Sequence, residues 1–239
     1  MELYLYIFII SILFSIVGHG GASGYLAVFA LYGLSSPQIK SSALILNLFV
    51  SIIAFITFYR ANYFIPKIFK SIAITSIPMA FIGGLIQLND HIYKSLLGGF
   101  IFIAALIFLS NIQFKNKIKL EKETLILYFI GGVLGFLSGL LGIGGGILLS
   151  PILLLLNITD VKQTAAISAL FIFVNSLSGF IGLSLNHLEI YPNIFSLIII
   201  VLVGGRIGAY LGINILSKQL IKKVLGMVLL FASYKMIFI

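Results

Sequence analysis

Few residues of this chain are equipped for chemistry. Two glycine clusters, VGHGGASG (Val17–Gly24) and GIGGG (Gly142–Gly146), interrupt otherwise apolar sequence. A glycine inside a helix costs about 1 kcal/mol relative to alanine, so consecutive glycines break a helix. A break leaves the first N–H groups of the next helix without intrahelical acceptors, and that helix's dipole favours negative charge there. Gly20, Gly21, Ser23 and Gly24, with Gly142, Gly144, Gly145 and Gly146, are therefore candidate ligands of a small anion. His19 stands in the first cluster, where titration would couple binding to protons; an uncharged ring bonded to a loop carbonyl is the alternative.

Arg206, in LVGGRIGAYLG, is read as the only Arg or Lys well inside an apolar run, and no Asp or Glu accompanies it. A cation at membrane depth needs a partner or a watered cavity, and an anionic substrate would serve. Snorkelling to the membrane surface, or bonding to carbonyls at a helix break, is the competing account. Thr164, Ser168, Asn175 and Ser178 form a polar stripe at helical spacing, and Asn47 and Ser51 lie one turn apart in the first half. Asn47 and Asn175 are candidate substrate contacts; bonding between helices is their structural alternative.

Other chemistries lack their parts. The chain has no cysteine, which removes disulfides and thiolate metal sites. His19, His91 and His187 are dispersed without metal-ligand spacing, so neither a metal nor another cofactor is expected. GIGGG lacks the Lys-Ser/Thr ending of a phosphate-binding loop. Gly21–Gly24 reads GxSG, the serine motif of rhomboid intramembrane proteases, but a serine nucleophile needs a general base. No later histidine falls inside an apolar run, so the protease is a remote alternative and no enzyme is expected.

These residues must be positioned by membrane helices. The 239 residues are 61% hydrophobic and 9% charged, more apolar surface than a soluble domain can hide. The net charge of +9 lies mainly between apolar runs, without a basic stripe interleaved with aromatics, which excludes a nucleic-acid partner. The opening MELYLYIFIISILFSIV lacks a basic n-region and a cleavage site and is expected to be a retained span. Full spans are expected near 3–17, 42–59, 68–88, 93–111, 125–141, 164–184, 194–214 and 219–238. Segments 22–34 and 146–157 are short of the roughly 20 residues needed to cross. The chain is thus an all-α polytopic membrane protein in a lipid bilayer.

A shift of 122 positions sets Gly20 on Gly142, Gly24 on Gly146 and Lys40 on Lys162, and with small gaps Gly83 meets Gly208 and Gly98 meets Gly226. A duplicated unit follows: an N-terminal transmembrane repeat (1–112), a basic cytoplasmic linker (113–124) around KNKIKLEKE, and a C-terminal transmembrane repeat (125–239). Each repeat holds about four full helices and one short glycine-broken half-helix. With Lys115–Lys122 inside, Arg60, Lys67 and Lys70 also fall inside. If the short segment returns, Lys162 and Lys218–Lys223 fall inside as well, and NHLEIYPN (Asn186–Asn193), without Lys or Arg, falls outside. Charge therefore favours an inverted repeat, with a parallel four-plus-four layout as the alternative.

GLLGIGGGILLSPILLL closely resembles the signature of the TauE/SafE family of sulfite-exporter-like permeases, and VGHGGASGYLAVFALYG is a weaker copy. The first half departs from it, with GASG for the GxGGG core and Phe29 where Pro151 stands in the second. The resemblance implies a multi-pass permease of the inner membrane that moves a small anion, such as sulfite or an organosulfonate, by alternating access. Arg206 would lend charge, and a proton or other ion would couple. A carboxylate, a neutral metabolite or a cation is the alternative cargo, although the absence of an intramembrane carboxylate weighs against a cation.

Overall fold

The structure is a computed structural model describing residues 2–109, 120–186, 188–214, 230, 233 and 234. The expected span 219–238 apart from Leu230, Ser233 and Tyr234, linker residues 113–119, His187 and Gly226 lie outside the described residues. Within them every regular element is a helix: α1 (Glu2–Ile16), α2 (Ala22–Leu31), α3 (Ser36–Arg60), α4 (Pro66–Leu85), α5 (Asp90–Leu109), α6 (Leu120–Leu141), α7 (Gly146–Leu155), α8 (Val161–Ser184) and α9 (Ile194–Asn214). Four stretches, Ser36–Arg60, Pro66–Leu85, Val161–Ser184 and Ile194–Ile213, are long and apolar enough to cross a membrane. The short elements α2 and α7 are the segments expected to fall short. The end of the expected linker is already helical, because α6 begins at Leu120.

Polarity runs inside out. Ser11, Ser15, Asn47, Ser51, Ser76, Asn175 and Ser176 are fully buried, while Phe129, Phe195 and Ile199 are exposed. That distribution suits lipid as the solvent, where backbone and side-chain polar groups must find partners inside the bundle.

Helix ends follow local chemistry. Ser35 caps α3, accepting from the Gln38 N–H at 3.4 Å, and Pro37 sits in its first turn. Asp160 opens α8 with a capping box: its carboxylate accepts from the N–H groups of Lys162 and Gln163, and the Gln163 side chain accepts from the Asp160 N–H. The helices α2 and α7 differ, since each starts at a left-handed glycine, Gly21 or Gly145, without any side-chain cap.

Hydrogen bonds sort the connections into two ends. At one end Ser35 donates to Glu189 (3.0 Å), the Tyr191 N–H donates to Ser42 (3.0 Å), and Asn186 donates to the Leu85 carbonyl (2.9 Å). At the other, Lys162 at the start of α8 donates to Tyr63 between α3 and α4 (3.2 Å). Among described side chains, this second end carries Arg60, Lys67, Lys70 and Lys162 against the single carboxylate Asp160. It is called the basic end below.

Glycine rows bring α6 onto α4 and α9 onto α1. A Cβ at Gly131, Gly135 or Gly139 would meet the carbonyl oxygens of Ile72, Ser76 and Ala80. One at Gly208 or Gly212 would meet those of Ile12 and Ile16, and one at Gly204 would meet Ser11 and Phe8. In both rows the partners climb together, so each pair is parallel. The hairpin α6–α7 accordingly opens toward the basic end, where α4 begins. The hairpin α1–α2 opens toward the opposite end, where α9 begins and where Glu2 lies beside Tyr32. These rows are packing surfaces, as small residues in lipid commonly are. Gly139→Ala should destabilise the protein by roughly 1–3 kcal/mol, the usual range for overpacking. A melting temperature in detergent equal to that of the wild type would show that the α4–α6 interface has slack.

Candidate functional site

The two breaks meet at mid-depth. Asn47 is the twelfth of the 25 residues of α3, and Ile172 the twelfth of the 24 residues of α8. A Cβ on Gly20 would lie 2.6 Å from Asn47 Oδ1 and 2.9 Å from Ile172 Cγ2. One on Gly144 would lie 2.6 Å from Asn47 Nδ2 and 2.9 Å from the same Ile172 atom. One asparagine and one isoleucine thus contact both breaks. Asn47 Nδ2 donates to Ser176 Oγ at 3.3 Å, and Asn47 Oδ1 is buried without a hydrogen-bond partner among the described residues.

The helix starts beside this centre are open. The first intrahelical backbone bonds of α2 and α7 are Tyr25 N–H to the Gly21 carbonyl (2.9 Å) and Leu149 N–H to the Gly145 carbonyl (3.2 Å). The N–H groups of Ala22, Ser23, Gly24, Gly146, Ile147 and Leu148 precede those bonds and have no such acceptor. Left-handed backbone at Gly144 and Gly145 (φ +70 for both) turns the chain into α7, a conformation glycine adopts without steric cost. Gly18 and Gly142 match each other (φ +74 and +75), as do Gly21 and Gly145 as the glycines that open α2 and α7. Set this way, Gly20 falls beside Gly144, although only Gly144 of the two has a positive φ.

The structure brings some expected residues here and places others elsewhere. Gly20 and Gly144 touch Asn47, and Gly146 packs against Ile172. Gly145 lies against Phe171 and Leu134, and Gly21 against its own helix at Tyr25. Gly24 faces Ile10 and Phe14 of α1, and Gly142 faces Lys40. Ser23 is buried in the first turn of α2. His19 is buried within the first break, its ring edge-on to Phe14 with centroids 6.5 Å apart. Asn175 is buried but donates to the Phe171 carbonyl of its own helix (2.8 Å). The expected polar stripe on α8 divides among several neighbours: Thr164 bonds Thr159, Ser168 bonds Ser150 of α7, and Ser178 donates to the Ile77 carbonyl. Arg206 is not at the centre. It is exposed and lies with Arg60 in a groove between α3 and α9.

Two residues escaped the sequence reading. Ser176, which receives the Asn47 amide, was one hydroxyl among many, and only the pairing of α3 with α8 distinguishes it. Lys40 is 5% exposed, donates to the Ile86 carbonyl at 3.3 Å and packs against Gly142. It was passed over because α3 begins at Ser36, before the expected start at 42. The buried lysine qualifies the view that Arg206 alone lies inside a span.

A multi-pass helical bundle, apolar outside and polar within, whose two broken segments meet at mid-depth, has the build of a membrane transporter. The chain belongs to the sulfite exporter TauE/SafE family, whose model matches residues 3–236. It is 32% identical over 235 residues to the probable membrane transporter protein y4hK of Sinorhizobium fredii, covering 96% of this chain and 95% of the relative. It is 33% identical over 189 residues to the probable membrane transporter protein MJ0441 of Methanocaldococcus jannaschii, covering 73% of this chain and 68% of the relative. No solved structure matches. Membership in a transporter family also weighs against the protease reading of Ser23.

Proposed function

We propose that this protein is a secondary transporter of the inner membrane that carries a small, sulfur-containing anion, such as sulfite or an organosulfonate, by alternating access. The observation that carries the proposal is the convergence of Gly20 and Gly144 on Asn47. Two helix starts with unsatisfied N–H groups lie beside that buried amide, and such starts favour anions without a cationic side chain. The centre is closed by Asn47 and Ile172 here, so binding would require a rearrangement that opens it toward one end at a time.

On this reading the halves 1–112 and 125–239 are inverted repeats. In support, α1–α2 and α6–α7 open toward opposite ends, and the parallel pair α4–α6 has its counterpart in α9–α1. The basic end would face the cytoplasm. His19, buried in the first break, would be the group that couples transport to protons.

The test is uptake and efflux in proteoliposomes loaded with sulfite, thiosulfate, organosulfonates, carboxylates or inorganic cations, with and without a pH gradient. At least one sulfur oxyanion should move faster than any cation. Transport restricted to cations or neutral solutes would overturn the anion assignment. If His19 couples protons, His19→Gln should remove the effect of a pH gradient while leaving exchange across equal pH intact.

A further inference from the structure

A groove of about 390 Å³ runs along α3 and α9 from the basic end toward mid-depth, lined by Ile53, Ile56, Thr57 and Arg60 of α3 and by Arg206 and Tyr210 of α9. Two arginines share it, and its described lining contains no carboxylate. Of the carboxylates whose side chains are described, Asp160 caps α8, Glu189 receives Ser35, Glu2 lies beside Tyr32, and Asp90 opens α5 at the far end.

Its shape and lining narrow the class of ligand. Arginine presents planar donor pairs that fit phosphate oxygens, and it sheds water more readily than lysine does. Ile53 and Ile56 climb α3 from Arg60 toward the middle of the bundle, and the exposed faces of Ile56 and Tyr210 look outward. An amphiphile with a phosphate at the guanidiniums and an acyl chain along the isoleucines satisfies both parts; an inorganic anion satisfies only one. The surrounding Lys67, Lys70 and Lys162 mark this end as the one that meets the anionic leaflet.

We propose that the groove between α3 and α9 binds the phosphodiester headgroup of an anionic phospholipid, such as phosphatidylglycerol, through Arg60 and Arg206. This site is separate from the mid-depth centre and does not depend on which solute is carried.

The test is thermal unfolding of the full-length protein in detergent with added phosphatidylglycerol, phosphatidylcholine or inorganic phosphate. The wild type is compared with R60Q/R206Q and with K67Q/K70Q, a control that removes two charges of the same end outside the groove. Phosphatidylglycerol should raise the melting temperature of the wild type and the control by about 4 °C or more, the scale expected for a ligand well above its dissociation constant. At least half of that shift should vanish in R60Q/R206Q, and phosphatidylcholine should give little. If the double variant cannot be purified, R60Q and R206Q singly should each reduce the shift. A shift undiminished in the arginine variants, or equal with phosphatidylcholine, overturns the proposal. An equal, arginine-dependent shift with inorganic phosphate overturns the lipid assignment and makes the groove a free-anion site. Native mass spectrometry gives a second readout: retained phosphatidylglycerol should be lost from R60Q/R206Q, and equal retention would overturn the site.

Discussion

Gly144→Ala is expected to reduce transport by about 100-fold or more while the protein still inserts, a loss of about 2.7 kcal/mol in transition-state terms. Two costs combine. The backbone sits at φ +70, where a side chain is strained by roughly 1–2 kcal/mol. The added Cβ also meets Asn47 Nδ2 at 2.6 Å and Ile172 at 2.9 Å. Asn47 has little room to retreat, because Gly20 backs its oxygen so closely that a Cβ built there would lie 2.6 Å from it. Gly20→Ala has no positive φ to contend with and should lose less, on the order of tenfold. Initial rates in proteoliposomes, normalised to inserted protein, make the comparison. Rates within twofold of the wild type for Gly144→Ala would remove the breaks from the transport site.

Asn47→Asp separates charge from shape at the same position. The two side chains are nearly isosteric, so packing against Gly20, Gly144 and Ile172 is preserved. A carboxylate buried at mid-depth, however, opposes an incoming anion and is costly in itself. Anion transport should fall by about 100-fold at pH 8, equivalent to about 2.7 kcal/mol. Burial raises a carboxyl pKa by disfavouring the charged form. The acid form is therefore regained as pH falls, and activity should recover in part between pH 8 and pH 5. Asn47→Leu, which has no titratable group, should show no such recovery. Equal activity of Asn47→Asp and the wild type at pH 8 would mean that the anion does not pass near Asn47.

Much of the fold was legible because lipid imposes simple rules. Apolar length gave α9 to the residue and α1 to within one, and the glycine clusters separated α2 and α7 from their neighbours. Identical glycines are a poor ruler, however: by letter Gly20 falls on Gly142, by the glycine that opens each short helix Gly21 falls on Gly145, and the letters do not say which glycine opens a helix. The site was half legible. Glycine marked where backbone is exposed, but which polar side chain faces it depends on how α3 rotates against α8. Asn47 was singled out with Asn175, yet Asn47 reaches Ser176 whereas Asn175 bonds its own helix. Arg206 carried the strongest electrostatic signal in the sequence. Its neighbour Gly205 faces Val50, so the backbone does lie inside the span, but the side chain is exposed in the groove it shares with Arg60 and does not reach the centre.

The glycine rows also impose an order of events on synthesis. Ile12 and Ile16 offer their carbonyls to Gly208 and Gly212, almost the whole chain later. While the ribosome is still producing α2 to α8, α1 waits in the bilayer without the surface it was shaped to meet. Contacts of such long sequence separation form slowly and leave intermediates exposed. Early and late helices are in this sense clasped, α4 against α6 and α1 against α9. A nascent chain released before α9 would present an unfilled seam along α1, the kind of surface that membrane quality control is positioned to recognise.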